Sequence, residues 1–243
     1  VEETLDAVGT WWAQAWERLT PTAPPGAPGA ALWWVLGAVL AAVAVPPLWR
    51  RLRVLVTVVH ELGHGLVGVL FGRRFTGLVL RGDMSGHAVT VGKAGGAGRV
   101  LSTWAGYPAP AVVGAVLVRL AGSGWSPPVL GLLTVVLLGA LLRVRSLYTA
   151  AVMVALTAGT AALWWWGSPS LQAAVLLGLG LFLLVGAWRH LGALLAGPSA
   201  GSDATVLARL TIVPRWCWTL SFAVVLAGAS WLSLGPLARL LGV

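Results

Sequence analysis

Residues 52–72 read LRVLVTVVHELGHGLVGVLFG, and His60-Glu61-Leu62-Gly63-His64 stands in the middle of that apolar run. About 20 predominantly apolar residues are enough to cross the ~30 Å hydrocarbon core of a bilayer as a helix. Three ionisable side chains near the middle of such a helix are costly in lipid unless they pair or act. The stretch therefore predicts a membrane span that carries a polar site.

The rest of the chain supports a lipid environment. Of 243 residues, 58% are hydrophobic and 9% charged, with a mean hydropathy of +0.88. A soluble domain carries roughly a quarter charged residues and could not cover its surface with so few. Further apolar stretches fall at 31–49, 98–120, 127–144, 147–166, 170–190 and 213–235. The expected fold class is an all-α integral membrane protein, a polytopic helical bundle of about 6–7 spans. Pro46-Pro47 and Pro214 should break or kink the first and last of these stretches. Residues 1–30 read as an N-terminal surface segment and linker, and 31–243 as a single transmembrane domain. Within the first part, Trp11, Trp12, Ala15, Trp16 and Leu19 fall near helical spacing. Two readings stay open there, an amphipathic helix at the membrane surface and a frayed terminus. Residues 1–19 also carry Glu2, Glu3, Asp6 and Glu17, a composition unlike a secretory signal. PTAPPGAPG at 21–29 is expected to be a joint.

A net charge of +9 raises nucleic acid as a partner, but the basic residues sit in short runs beside apolar stretches. Lipid head groups and topology explain that placement better, so membrane lipids are expected and nucleic acid is not. Counting Arg18, Arg73, Arg74, Arg81, Lys93, Arg145 and Arg209, with Arg99, Arg143, Arg189 and Arg215 at nearby span ends, against Arg50, Arg51, Arg53, Arg119 and Arg239 puts residues 73–97 in the cytosol. Cys217 is alone, which excludes an internal disulfide and any multi-cysteine metal site. The preponderance of Ala, Gly, Val, Leu and Arg with one lysine suggests a GC-rich bacterial genome, and hence a bacterial cytoplasmic membrane.

Residues 73–92 break the apolar pattern. FTGLVLR (75–81) and GHAVTV (86–91) are short β-branched runs joined by Gly82-Asp83-Met84-Ser85. They predict a β-hairpin directly after the motif helix. Its edge cannot face lipid and must lie at the surface or line a water-accessible cavity.

In a helix, His60 and His64 lie on one face a turn apart and can present two imidazole nitrogens to one metal ion. Glu61 is offset by about 100°, near enough to accept a proton from a zinc-activated water without being a ligand. This is the division of labour that H-E-x-x-H implies, with zinc as cofactor and Glu61 as catalytic base. A tetrahedral zinc keeping one position for water needs a third protein ligand. The candidates are Asp6, Asp83, Asp203, His87, His190 and the N-terminal glutamates. Asp203, in Gly201-Ser202-Asp203-Ala204, is favoured and His87 is the runner-up, although Ser-Asp before a helix ordinarily reads as a cap. Gly63, Gly65, Gly68 and Gly72 thin the motif helix, so that another element can bring its ligand close.

HELGH in an apolar helix, then a basic hairpin, then Gly106-Tyr107-Pro108, then a distant Ser202-Asp203-Ala204, resembles the site-2 protease family. These are intramembrane zinc metalloproteases, and the closest likeness is to the compact bacterial branch of M50B-type peptidases. The resemblance spans about 55–215. It implies His60, His64 and Asp203 as zinc ligands, Glu61 as base, and a membrane-spanning protein as substrate, cut near the cytosolic face. It also implies that the hairpin holds an unwound stretch of that substrate. The family's ligand aspartate usually stands in Leu-Asp-Gly with an asparagine nearby, whereas this aspartate stands in Ser-Asp-Ala and the chain has no asparagine. The alternative is a non-catalytic membrane subunit or scaffold that retains the metal site. A metal transporter would need polar residues across other spans, which spans three to six lack.

Overall fold

The computed structural model describes residues 2–24, 30–197 and 201–241. The joint expected at 21–29 lies partly outside them, as do the side chains of Glu2, Glu3 and Asp6. The described residues form eleven helices and one two-stranded antiparallel sheet. α1 (Glu2–Glu17) precedes α2 (Ala30–Ala44), α3 (Pro46–Leu52) and α4 (Val54–Leu70). The hairpin of β1 (Arg74–Leu80) and β2 (Gly86–Val91) follows, then α5 (Ala97–Ala105), α6 (Pro108–Ala121) and α7 (Ser126–Leu141). α8 (Leu147–Trp166), α9 (Pro169–Ala196), α10 (Asp203–Leu210) and α11 (Arg215–Leu241) complete it.

The architecture is that of a helical membrane protein with a small hairpin, but the apolar stretches are not seven equal spans. Among the described residues, four helices are long and apolar enough to cross a membrane: Pro46–Leu70, Leu147–Trp166, Pro169–Ala196 and Arg215–Arg239. A fifth span results if α5 and α6, bent by 60°, count as one. The prolines explain the differences. Val45, preceding Pro46, is extended at φ −88° and ψ 110°, as the residue before a proline prefers. The chain therefore breaks within the expected stretch 31–49, and its end joins the motif helix instead. Pro108 opens α6 and divides the stretch 98–120 at Gly106-Tyr107. α7 has 16 residues, about 24 Å of helix, shorter than a ~30 Å hydrocarbon core.

The larger apolar core joins α2, α6, α9, α10 and α11, with Phe222, Leu226, Leu176, Leu177 and Leu207 fully enclosed. α6 and α9 meet backbone to backbone at Gly114 and Gly180, where a Cβ on either glycine would fall within 2.7 Å of the other's carbonyl oxygen. Small residues of this kind let membrane helices approach closely. α8 buries only Thr149, Met153 and Thr157, one stripe at i, i+4 and i+8. Its other faces are left for lipid. On α1, Trp11, Trp12 and Trp16 are exposed while Ala15 is buried, and Trp11 stacks on Trp165 with ring centroids 5.8 Å apart. α1 is thus a helix docked on the end of α8.

The hairpin packs along α4 with Leu78 and Leu80 in a second, smaller core with Val58, Leu62, Ala140 and Met153. Gly86–Leu80 and Ala88–Leu78 are paired positions, and the turn is closed by Asp83 Oδ1, which accepts from the Ser85 N–H and hydroxyl. The outer edge of β1 is occupied. Leu78 N–H donates to the Arg143 carbonyl (2.9 Å), Arg145 N–H to that of Leu78 (3.1 Å), and Leu80 N–H to Thr149 Oγ1 (2.8 Å). The free edge of the sheet is therefore β2.

Candidate metal centre

The glycines of the motif helix show how neighbours reach it. A Cβ on Gly63 would strike Ala109 and the Ala105 carbonyl, one on Gly65 the Phe75 ring, and one on Gly68 the Ser102 hydroxyl. α5, α6 and β1 thus lie against α4 at the positions where it has no side chain. Gly72 does something else. At φ +78° it turns the chain out of α4 into the hairpin, a conformation that disfavours residues with a Cβ.

On the face so enclosed, three atoms converge. His60 Nε2 and His64 Nε2 are 3.1 Å apart, and Asp203 Oδ2 lies 3.3 Å from each. Ligands about 2.0–2.1 Å from a tetrahedral zinc stand roughly 3.3 Å from one another, so the triangle has the size such an ion requires. Two further observations fit a cation. Asp203 Oδ2 is buried and no hydrogen bond is directed to it. His64 Nδ1 lies 2.7 Å from the Ser102 carbonyl, which can only accept. Nδ1 therefore carries the proton and Nε2 presents a lone pair to the centre, the arrangement common to metal-bound histidines. Ser102 Oγ donates in return to the His64 carbonyl at 2.8 Å, clamping α5 to α4.

His60 is held differently. Its Nδ1 is buried without a partner, and its ring is fixed by packing against Tyr107, near-perpendicular at 5.1 Å. Tyr107 itself stacks on Phe222 of α11 at 4.9 Å. Asp203 comes from the first turn of α10, where Ser202 takes the capping role by accepting from Thr205 N–H. With the cap supplied by its neighbour, the aspartate is free to turn inward.

Glu61 is buried beside the triangle, and Ala88 N–H of β2 donates to its Oε2 at 2.7 Å. Gly86 lies against the same side chain, where a Cβ would come within 2.7 Å of Glu61 Cγ. The Glu61 carboxylate and the open edge of the sheet thus face the same cleft. This cleft of about 380 Å³ has His60, Glu61, His64 and Asp203 on one side and β2 on the other, with Arg99 and Ser102 of α5 between. Of the remaining candidate ligands, His87 lines the cleft wall, exposed and outside the triangle. Asp83 belongs to the hairpin turn, and the His190 ring stands 6.4 Å from that of His60. Among the described residues, His60, His64 and Asp203 form the one group of three that could hold a metal ion.

Gly106 is the contact that the sequence does not assign a role. A Cβ there would lie 2.4 Å from His64 Cε1 and Nε2 and 2.8 Å from His60 Nε2. Real Cβ atoms do not approach so closely, so Gly106→Ala must displace both imidazoles. The expected cost is about 1–3 kcal/mol of stability, as for other over-packed sites, together with weaker metal retention. Thermal unfolding and metal titration of the purified variant measure both, and a variant with parental metal affinity would show that the site has slack at this point.

The helical bundle, its hairpin and the triangle of His60, His64 and Asp203 define a helical membrane protein with a candidate metal site. The chain belongs to the Peptidase M50B-like family, whose model matches residues 32–233 and so takes in every residue of the triangle. No match was found among curated proteins or among solved structures. M50 peptidases are in general zinc metalloproteases of membranes, which makes this chain a candidate metalloprotease.

Proposed function

We propose that this chain is a zinc-dependent intramembrane endopeptidase that hydrolyses a peptide bond of a membrane-spanning substrate near the cytosolic face. The observation that carries the reading is the triangle of His60, His64 and Asp203, with separations of 3.1–3.3 Å, next to a buried carboxylate that ligates nothing. Zinc, when bound, would supply a Lewis acid that polarises the scissile carbonyl and lets water act as a nucleophile near neutral pH. The chain's own groups do the rest. His60, His64 and Asp203 hold the ion, and Ser102 fixes the tautomer and direction of His64. Ala88 N–H orients one oxygen of Glu61, leaving the other to take a proton from the attacking water and return it to the leaving amine.

A transmembrane helix hides its carbonyls in its own hydrogen bonds, so the substrate must present an unwound stretch. β2 offers a partner for it. Its Gly86 and Ala88 backbone groups point away from β1; Glu61 holds the Ala88 N–H, and the remaining groups of that edge can pair with an extended peptide laid across the triangle. With β1 covered by residues 143–145, β2 is the edge that can serve.

The test is metal removal. Purified full-length protein is reconstituted in lipid with a mixture of single-span membrane proteins, and new peptide termini are read by mass spectrometry. Treatment with a chelator is expected to abolish cleavage, and stoichiometric zinc to restore it. Cleavage that persists after zinc has been shown to be gone would defeat the proposal.

A further inference from the structure

α5 lies alongside α4 in the opposite direction: Gly98 abuts Phe71, Ser102 abuts Gly68 and His64, and Gly106 abuts the two metal-facing imidazoles. β2 runs along the other side, with Gly86 near Thr57 and Glu61, and Thr90 near Gly68. Together they make a trough over α4, and Arg99 stands at the Thr90 end of it. Arg99 is one turn before Ser102 and Thr103 on the cleft face of α5, and two turns, about 10 Å, from Gly106.

Two arginines meet at this end, and they differ. Arg73 is buried and fully engaged, with Nε donating to Thr90 Oγ1, Nη1 to the Lys93 carbonyl and Nη2 to the Thr90 carbonyl. It straps the hairpin to the loop that follows. Arg99 has neither an ion pair nor a side-chain hydrogen bond among the described residues, and its Nε is buried without a partner. A guanidinium kept dry on one side, unpaired, in the wall of a polar cleft, is a site for a group that brings negative charge and two acceptor oxygens.

We propose that Arg99 forms a carboxylate-binding subsite of the cleft, at which the bound polypeptide presents an acidic group. The assignment rests on the peptidase reading given above. A strand laid along β2 advances about 3.4 Å per residue, so one crossing Glu61 at the level of Ala88 reaches Arg99 some two to three residues later. The group recognised is thus an Asp or Glu side chain two to three residues from the scissile bond, or a chain-terminal carboxylate at that distance. Arg99 acts on placement of the substrate and takes no part in the bond cleavage.

The experiment measures binding, so that it does not depend on turnover. Full-length Glu61→Gln protein, loaded with zinc, is placed in discs of zwitterionic lipid. It is titrated with amidated, fluorescent eight-residue β-forming peptides carrying a single Asp walked through the sequence, and with their Asn counterparts. In the best register the Asp peptide is expected to bind roughly ten-fold tighter than its Asn twin, a difference typical of one charge-assisted contact. Arg99→Gln should erase the preference and Arg99→Lys should keep part of it. An Asn peptide with a free C-terminus separates a terminal carboxylate from a side chain. Equal binding of Asp and Asn peptides in every register, no binding of either, or a preference that survives Arg99→Gln overturns the subsite. Loss of the preference when anionic lipid is added assigns Arg99 to a head group and also overturns it. A charge preference in protein whose Glu61 form cleaves nothing would remove the peptidase reading and leave the subsite standing.

Discussion

Glu61→Gln is expected to keep a full complement of zinc and to lose peptide cleavage by about 10²–10⁴-fold, the usual worth of a positioned general base. The two side chains have the same shape. The amide oxygen of glutamine can still accept from Ala88 N–H, so the contact that orients residue 61 against β2 survives. What disappears is the capacity to take a proton at neutral pH. Because residue 61 is outside the His60–His64–Asp203 triangle, metal binding should be untouched. Metal analysis and cleavage rates on the same preparations check both halves. Parental activity in the variant would refute the base assignment, and loss of zinc would mean that residue 61 supports the metal rather than the reaction.

Asp203→Ala should have an equally large effect of the opposite kind: zinc is lost, and activity with it. Without the carboxylate only two imidazole nitrogens remain on the triangle, one short of the three protein ligands usual in catalytic zinc sites. The neighbouring Ser202→Ala provides the contrast. Ser202 caps α10 through Thr205 N–H, and its removal should cost about 1 kcal/mol of stability while zinc stays bound. If both variants held zinc equally well, Asp203 would be a first-turn acid and nothing more. Zinc content after dialysis against a graded chelator series, paired with thermal unfolding, separates the two outcomes.

Much of this site was legible because its chemistry is local in sequence. The spacing of His60 and His64 places them on one face of a helix, and Glu61 follows from the same periodicity. The hairpin was legible for a similar reason, since β-branched runs around Gly82-Asp83-Met84-Ser85 have few other readings. Asp203 could be favoured over His87 only by chemical need and resemblance, because the 139 residues from His64 to Asp203 carry no periodic signal.

The remainder depends on tertiary contact. Gly106 enters the sequence reading only as part of Gly106-Tyr107-Pro108, and only the fold shows that a methyl group there would strike both imidazoles. Arg99 counts in the sequence as one more basic residue at a span end, yet it lines the cleft. The Ser102 carbonyl and the Ala88 N–H are backbone groups, for which no residue type gives a signal. The break at Pro46 is legible in the sequence, whereas the one at Pro108 lies inside a run that hydropathy reads as a single stretch. Hydropathy averages over a window, whereas a proline acts at one bond.

Zinc-edge X-ray absorption on the purified, zinc-loaded protein reads the ligand set itself. Four nitrogen and oxygen neighbours are expected at about 2.0–2.1 Å, two of them imidazoles, with the signal of a carboxylate oxygen that disappears in Asp203→Ala. A first shell containing three imidazoles, a shell unchanged by Asp203→Ala, or protein that takes up no zinc would contradict this ligand set.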